Sequence, residues 1–552
     1  MSKEFINKFL QNKRKNSFFL IIILLIAFML RFWQLGGIPM SINWDEAAWG
    51  YNAYTIGIDG KDEFGVSFPY KYIESFGDFK PPVYAYLASV PVKLLGLNEF
   101  ATRSPSALFG FLTVLLTYFL VKEIFHKNEN KEKLALFSTL FLGVSPWHIM
   151  LSRAAFEANV STFCIVLGIL LFLRAINKNM WLLVLSAISF AVSFYVFNTA
   201  RIFVPLIGLV LVGGFRRELF KAKREVIVSL VVGLLILLPL IPFLFSPQAK
   251  LRYQEVNIFS NPEIVKTANQ KIENDDGAIW SKVINNRRVY YGTEFVKHYL
   301  DNLNPSFLFI KGDGNPKFST QDIGQLFIWD LPFLIIGAFI LFKRKEGYYW
   351  LIPIWLLLGI IPAATARETP HALRIETVLP TFQILTAVGF VFFIDQLKNR
   401  LKPQMISGMY VSILFLLFVN VFYFLHSYYS HYGRESAADW NYGYKEAFKY
   451  LSEVEDQYEN IYFTDELGRP HIYYLFHNKI DPKFYRKNSD IKRDVFGFVH
   501  VNKIGKYNFN NVSHSKNSIH VERWDKTPEN VTVLKKFDLP DGKPMLSAYV
   551  QN

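Results

Sequence analysis

Apolar runs of about twenty residues recur along most of this chain, separated by short charged or turn-rich loops. A helix needs roughly 20 mostly apolar residues to cross the hydrocarbon of a bilayer. Lipid also offers no partner for an open backbone amide, so such runs must fold as helices packed side by side. Only 19% of the 552 residues are charged, where soluble domains of ordinary composition carry about 25%. The formal charge of +14 raises the question of a nucleic-acid partner. The basic residues cluster in short loops between apolar runs and form no stripe along a polar face. They read as topology signals, and no nucleic-acid partner is expected. The single cysteine, Cys164, lies inside an apolar run, which excludes a disulfide framework and a cysteine-based metal site.

Eleven spans are predicted, at about 17–35, 105–122, 133–150, 159–174, 180–197, 202–215, 226–245, 326–342, 348–364, 373–394 and 405–425. Lys3, Lys8, Lys13, Arg14 and Lys15 precede the first, and no small-residue cleavage site follows it. The reading is an uncleaved first helix with residues 1–16 in the cytoplasm. Every loop this count places inside is then basic: 122–133, 174–178, 216–224, 343–345 and 398–402. The stretch 82–97 holds Pro91 and Lys93 and would invert every later loop if it spanned, so it is read as an interfacial helix. The expected fold is therefore mainly α: a polytopic membrane domain at 17–425 with outer loops at 36–104 and 246–325. Residues 426–552 mix helix-like and strand-like runs (YKEAFKYLSEV, then NIYFTD) and are expected to form a small extracytoplasmic α/β domain.

Charges that topology does not explain are the informative ones. Outer loops should be poor in Lys and Arg, yet Arg103, Arg153, Arg201, Arg367 and Arg374 each sit near an outer helix end. A charge at the centre of a membrane helix costs about 2.5–3.5 kcal/mol on insertion scales and is usually retained for function. Guanidinium forks match phosphate oxygens. Singly, each arginine could snorkel to lipid headgroups or pair with Glu157, Glu368 or Glu376. Together on one face, they point to an anionic lipid headgroup. In the first outer loop, Ser41 or Asn43 can cap a short helix in INWDEAAWGYNAYTIG, placing Asp45 in its first turn. Adjacent helical residues point about 100° apart, so Asp45 and Glu46 cannot share one task. One acid among cations suits proton abstraction beside a held phosphate; the alternative is that the pair only caps and solvates the helix. Lys80, before Pro81 and Pro82, is held extended, either aimed at a site or meeting lipid phosphates.

In order along the chain, WDE at 44–46, KPPVYAYL at 80–87, RSPSALFGFLTVLLTYFL at 103–120, SPWHIMLSRAAFEANVSTF at 145–163, FLFIKGDGNPKFSTQDIGQLF at 307–327 and IPAATARETPHALRIETVLP at 361–380 resemble the GT-C superfamily of membrane glycosyltransferases. Within it the resemblance is to the group of protein O-mannosyltransferases and lipid A aminoarabinose transferases, over about residues 17–400. That resemblance implies an inverting transferase that takes a sugar from a polyprenyl-phosphate donor. Its acceptor would be an extracytoplasmic protein, lipid or glycan, and the plasma membrane is the implied location. It implies Asp45 as the catalytic carboxylate and Glu46 as a support for acceptor or substrate placement. Lys80, with some of Arg103, Arg153, Arg201, His371 and Arg374, would hold the lipid phosphate. Relatives often carry Asp where Glu157 stands. No cofactor is expected, although Asp45, Glu46, Glu157 and Asp313 could gather around a divalent cation. The rival readings are a transporter or flippase and a ligase or polymerase using diphosphate-linked glycans. Midplane charges and repeated halves would favour the first, but here the charges sit at outer helix ends.

Overall fold

The computed structural model describes residues 13–400, 402–494, 497–509 and 517–551. Most of the basic N-terminal stretch read as cytoplasmic lies outside them. The chain is mainly helical and forms two compact units.

The first unit contains the N-terminal helix as far as Leu30, then Phe109–Leu151 and Ala158–Phe424. Helix occupies part of each of the eleven apolar segments. Among the described residues, six helices are long and apolar enough to cross a membrane: Lys15–Phe32, Glu99–Ile124, Glu157–Asn177, Lys223–Leu244, Thr381–Arg400 and Gln404–Glu435. A seventh arises if Lys131–Val144 and Pro146–Ser152, bent by 57° at their junction, form one broken span. Leu182–Ser193, Ala200–Gly214 and Leu351–Ala364 are apolar but shorter. Large side chains such as Leu209, Leu234, Phe415 and Phe418 face outward on these helices, where lipid rather than water is their natural neighbour. Inside, glycines set the closest crossing. A Cβ on Gly337 would lie 1.9 Å from the Leu385 carbonyl, and one on Gly389 would lie 1.8 Å from that of Phe333. The helices Asp330–Arg344 and Thr381–Arg400 therefore touch backbone to backbone, which small residues alone permit in a membrane bundle. The 246–325 segment, expected as an outer loop, is largely helical, with helices at Pro247–Val256, Pro262–Asn274, Ile279–Ile284 and Arg287–Asp301.

The second unit joins Arg31–Leu108, Ser152–Glu157 and the chain from Leu425 onward. Its C-terminal part holds a seven-stranded sheet in the order Ser489–Arg493, Val499–Ile504, Tyr507–Asn508, Asn460–Phe463, Ser518–Arg523, Pro544–Gln551 and Val531–Asp538. Asn460–Phe463 runs parallel to both neighbours, and the other pairings are antiparallel. Helices Tyr444–Val454 and Pro470–His477 supply Tyr444, Phe448, Tyr473 and Tyr474, which pack with Phe463 and Tyr507 into an aromatic core. This sheet does not stand apart from the first loop. Tyr51 Oη donates to the Ile480 carbonyl at 3.1 Å, Arg486 pairs with Asp59 at 2.5 Å, and Arg493 pairs with Glu74 at 2.5 Å. The hairpin Ile73–Ser75/Asp78–Lys80 turns through Phe76 and Gly77, both at positive φ, as a two-residue hairpin of the primed type requires. Its tip abuts the sheet: the Val499 amide donates to the Phe76 carbonyl at 3.2 Å, and a Cβ on Gly77 would lie 2.5 Å from the Gly497 carbonyl.

Candidate active site

The helix Trp44–Asp59 begins where the sequence predicts. Asn43 is its N-cap: Oδ1 accepts the amides of Asp45 and Glu46, and the Glu46 carboxylate accepts the Asn43 amide in return. This reciprocal capping box fixes the first turn and so the directions in which Asp45 and Glu46 point.

Glu46 points inward and is fully buried. It accepts from Arg103 Nε at 2.9 Å, from Arg103 Nη2 at 3.0 Å and from the Ala155 amide at 2.8 Å. Arg103, equally buried, also donates to the carbonyls of Leu35, Pro39 and Ser41 at 3.1, 3.0 and 2.5 Å, and lies over the Trp440 ring. A guanidinium has five N–H groups, and Arg103 uses all of them within the protein. It therefore stands here as a post tying the loop at 35–46 to the helix at 99–124, with no donor left for a lipid phosphate. Arg153 is also buried. It donates to the Tyr428 hydroxyl at 3.1 Å and to the carbonyls of Arg31 and Ile38, both at 3.2 Å, with its guanidinium over the rings of Tyr428 and Tyr429.

Asp45 points the other way. Its side chain is 50% exposed and forms an ion pair with Lys80, whose side chain is 11% exposed. Lys80 ends the strand Asp78–Lys80, in the extended backbone expected of a residue before proline. Its ammonium lies 5.4 Å from the centre of the Trp49 ring and 5.7 Å from that of Phe76. Burial works against its charge, but the carboxylates of Asp45, Asp78 and Glu157 outweigh it and raise the Lys80 pKa. Lys80 is therefore a fixed cation. Glu157, half-buried at the start of its helix, hydrogen-bonds Trp49. Sequence reasoning passed over Trp49 and Phe76. Trp49 had a signal, since it follows Asp45 by one helical turn and shares its face. Phe76 had none, because only the hairpin brings it to Lys80.

Behind these groups lies a buried polar cluster that the sequence did not reveal. Glu63 accepts from Asn52 Nδ2 and from Ser75 Oγ, each at 3.1 Å, and the Glu63 amide donates to Asn52 Oδ1 at 3.0 Å. Burial, opposed by those hydrogen bonds and helped by the charge of Asp62, pushes the Glu63 pKa up to about 8. The acid is thus held neutral inside the unit.

The other predicted site residues belong to the first unit. Asp313 accepts the Ala372 amide at 2.7 Å and the Asn315 amide at 2.8 Å, and burial raises its pKa to about 6. The His371 amide donates to Asn302 Oδ1 at 3.1 Å, and its ring lies 4.9 Å from that of Phe318. Burial and the neighbouring charge of Arg374 lower the His371 pKa to about 3, so this imidazole is neutral. Arg374 donates to the Glu368 carbonyl at 3.2 Å and approaches its carboxylate at 3.5 Å. Arg201 gives Nε to the Phe194 carbonyl at 3.1 Å, while its buried Nη2 has no hydrogen-bond partner among the described residues. The structure thus gathers Asp45, Glu46, Lys80, Arg103, Arg153 and Glu157 in one unit, and Arg201, Asp313, His371 and Arg374 in the other. Among the described residues, no group of three or more His, Cys, Asp or Glu side chains is arranged to hold a metal ion.

Residues 79–244 match the family described as dolichyl-phosphate-mannose-protein mannosyltransferase. The crystal structure of ArnT from Cupriavidus metallidurans in its apo state superposes with a TM-score of 0.52 at 12% identity, covering 96% of this chain and 97% of that one. Its complex with undecaprenyl phosphate gives 0.51 at 12% identity and the same coverage. The apo oligosaccharyltransferase of Archaeoglobus fulgidus gives 0.47 at 15% identity, covering 84% of this chain, which spans only 64% of its length. No curated protein matches the sequence. Over residues 79–244 the chain is thus similar to that mannosyltransferase family, and its fold is similar to that of ArnT.

Proposed function

We propose that the chain moves a sugar, with inversion, from a polyprenyl-phosphate donor to an acceptor hydroxyl on the extracytoplasmic side of the plasma membrane. It would do so as an eleven-span protein with its N-terminus in the cytoplasm. The observation that carries this reading is the Asp45–Lys80 pair: a half-exposed carboxylate on a rigidly capped helix, bonded to a lysine kept charged by its surroundings.

The chemistry assigns each a part. In the donor the phosphate is a diester with one negative charge. As the C1–O bond breaks, its electron pair passes to the departing polyprenyl phosphate, which gains a second charge. A fixed ammonium beside that oxygen stabilises the transition state more than the ground state, which is what accelerates a reaction. The acceptor oxygen meanwhile bonds to C1 from the opposite face, and its proton passes to the Asp45 carboxylate. The donor phosphate competes with Asp45 for Lys80, and on winning it frees the carboxylate to act as base. Glu46, Arg103 and Arg153 hold the frame. Undecaprenyl phosphate, bound by ArnT of the same fold, is the lipid class we assign. The acceptor is a protein, lipid or glycan, and the reaction as written needs no metal.

The test uses the full chain in nanodiscs with a panel of radiolabelled polyprenyl-phosphate sugars and a membrane extract as acceptor source. Turnover of one donor by wild type, lost in Asp45→Asn, is the expected result. Equal turnover by Asp45→Asn removes the assignment of the base, and consumption of no donor by wild type, across extracts from several sources, removes the function.

A further inference from the structure

The helices Ile279–Ile284 and Arg287–Asp301 of the first unit are built inside out. In Ile279–Ile284, Ile279, Trp280, Val283 and Ile284 are 83%, 57%, 66% and 59% exposed. The polar residues of the same turn face the protein. Ser281 is fully buried and donates to Asp275 Oδ2 at 2.6 Å, while Asn285 Nδ2 donates to Asp275 at 3.2 Å and to Ser281 Oγ at 2.9 Å. A surface helix in water has the opposite arrangement. The following helix also carries an apolar stripe on its outer side, beside exposed polar residues. Val289, Val296 and Leu300 fall on one line of the helix, at i, i+7 and i+11, and are 45%, 54% and 58% exposed. His298, on the opposite side, is buried, with Nδ1 2.8 Å from the Ala366 carbonyl.

We infer that these two helices lie in the surface of the bilayer that the chain spans, with Ile279, Trp280, Val283, Ile284, Val296 and Leu300 immersed among lipid chains. Three observations select lipid as the occupant. The segment leaves the membrane-crossing helix Lys223–Leu244 and returns to the apolar helix Asp330–Arg344, so both ends are tethered at bilayer level. Tyr299 Oη donates to the Leu357 carbonyl at 2.8 Å, which lays the second helix along the apolar helix Leu351–Ala364, where Leu357 is itself 51% exposed. The stripe of Val296 and Leu300 thus continues a surface already made for hydrocarbon. Finally, the two helices and their junction carry Lys282, Arg287, Arg288 and Lys297 against only Glu294 and Asp301, the balance that favours anionic headgroups.

The test places a spin label at position 283, 300 or 266 of the full chain in nanodiscs, using Val283→Cys, Leu300→Cys and Lys266→Cys in a Cys164→Ala background. Collision rates with oxygen, which concentrates in lipid, are compared with those of a water-soluble nickel chelate. Oxygen collisions should dominate at 283 and 300 and chelate collisions at the exposed Lys266 position. Chelate access at 283 and 300 equal to that at 266 overturns the inference and marks the face as one for a soluble protein. A second readout needs no label: nanodiscs with lipids brominated near the headgroup should quench wild-type tryptophan emission by a larger fraction than that of Trp280→Phe. Equal fractional quenching sinks the proposal independently.

Discussion

The helix Trp44–Asp59 carries its two neighbouring carboxylates into opposite surroundings. Glu46 and Arg103 are both fully buried, whereas Asp45 is half exposed and its partner Lys80 nearly buried. Taking an ion pair out of water costs several kcal/mol per ion, recovered only if hydrogen bonds satisfy both groups. The Glu46–Arg103 pair meets that condition through carbonyls, two amides and two parallel N–H···O contacts, and so resists rearrangement. The Asp45–Lys80 pair keeps its carboxylate side in solvent, so Asp45 can be rehydrated if the pair parts. On the proposed mechanism an incoming phosphate exchanges it. Structure and chemistry are divided between adjacent residues by the roughly 100° step of the helix.

The sharpest way to break this contrast is at its rigid end. Arg103→Ala leaves Glu46 buried without its cation, and we expect a loss of about 3–5 kcal/mol in thermal or denaturant unfolding. A loss below about 1 kcal/mol would show that the buried pair is not the frame. Asp45→Asn should do the reverse, lowering donor turnover by about 100- to 10,000-fold. Its stability should stay within about 1 kcal/mol of wild type; a Tm collapse would make Asp45 structural. Lys80→Met keeps much of the packing against Trp49 and Phe76 but removes the charge. We expect kcat to fall by at least about tenfold, because the cation matters most as the leaving phosphate gains charge. An effect on KM alone would reduce Lys80 to a binding residue.

The smallest effect lies behind the pair. Glu63 takes up a proton on folding because its pKa is raised from 4.5 to about 8. Between those values the folded state binds more protons than the unfolded one, so stability falls as pH rises and levels off above about 8. Glu63→Gln retains the acceptor for Asn52 and Ser75 without the titration. It should flatten that slope and gain more than about 1 kcal/mol over wild type at pH 9, since one pKa unit is worth about 1.4 kcal/mol. A parallel pH profile in the variant would locate the proton elsewhere.

What was readable in advance was local or compositional. Asn43 as a cap, Lys80 as extended, and helix within each apolar run all follow from a few neighbouring residues and the solvent they meet. The helices inside the segment 246–325 were not read in advance, because it was assigned only as an outer connection between spans. Amphipathic periodicity does not say which side of a helix faces protein. Spacing also could not separate the arginines by role. Arg103 and Arg201 look alike in sequence, yet one has every donor satisfied and the other keeps Nη2 unpaired among the described residues. That difference arises from partners far along the chain. Glu46 stands 57 positions from Arg103, and Tyr428 stands 275 from Arg153. The sequence by itself determined that this chain lives in a membrane and where its long apolar helices run, because backbone in lipid has no other way to satisfy its hydrogen bonds. Tertiary structure alone decided which charges are enclosed by protein partners and which stay partly exposed, because a buried charge is defined by partners that only folding assembles.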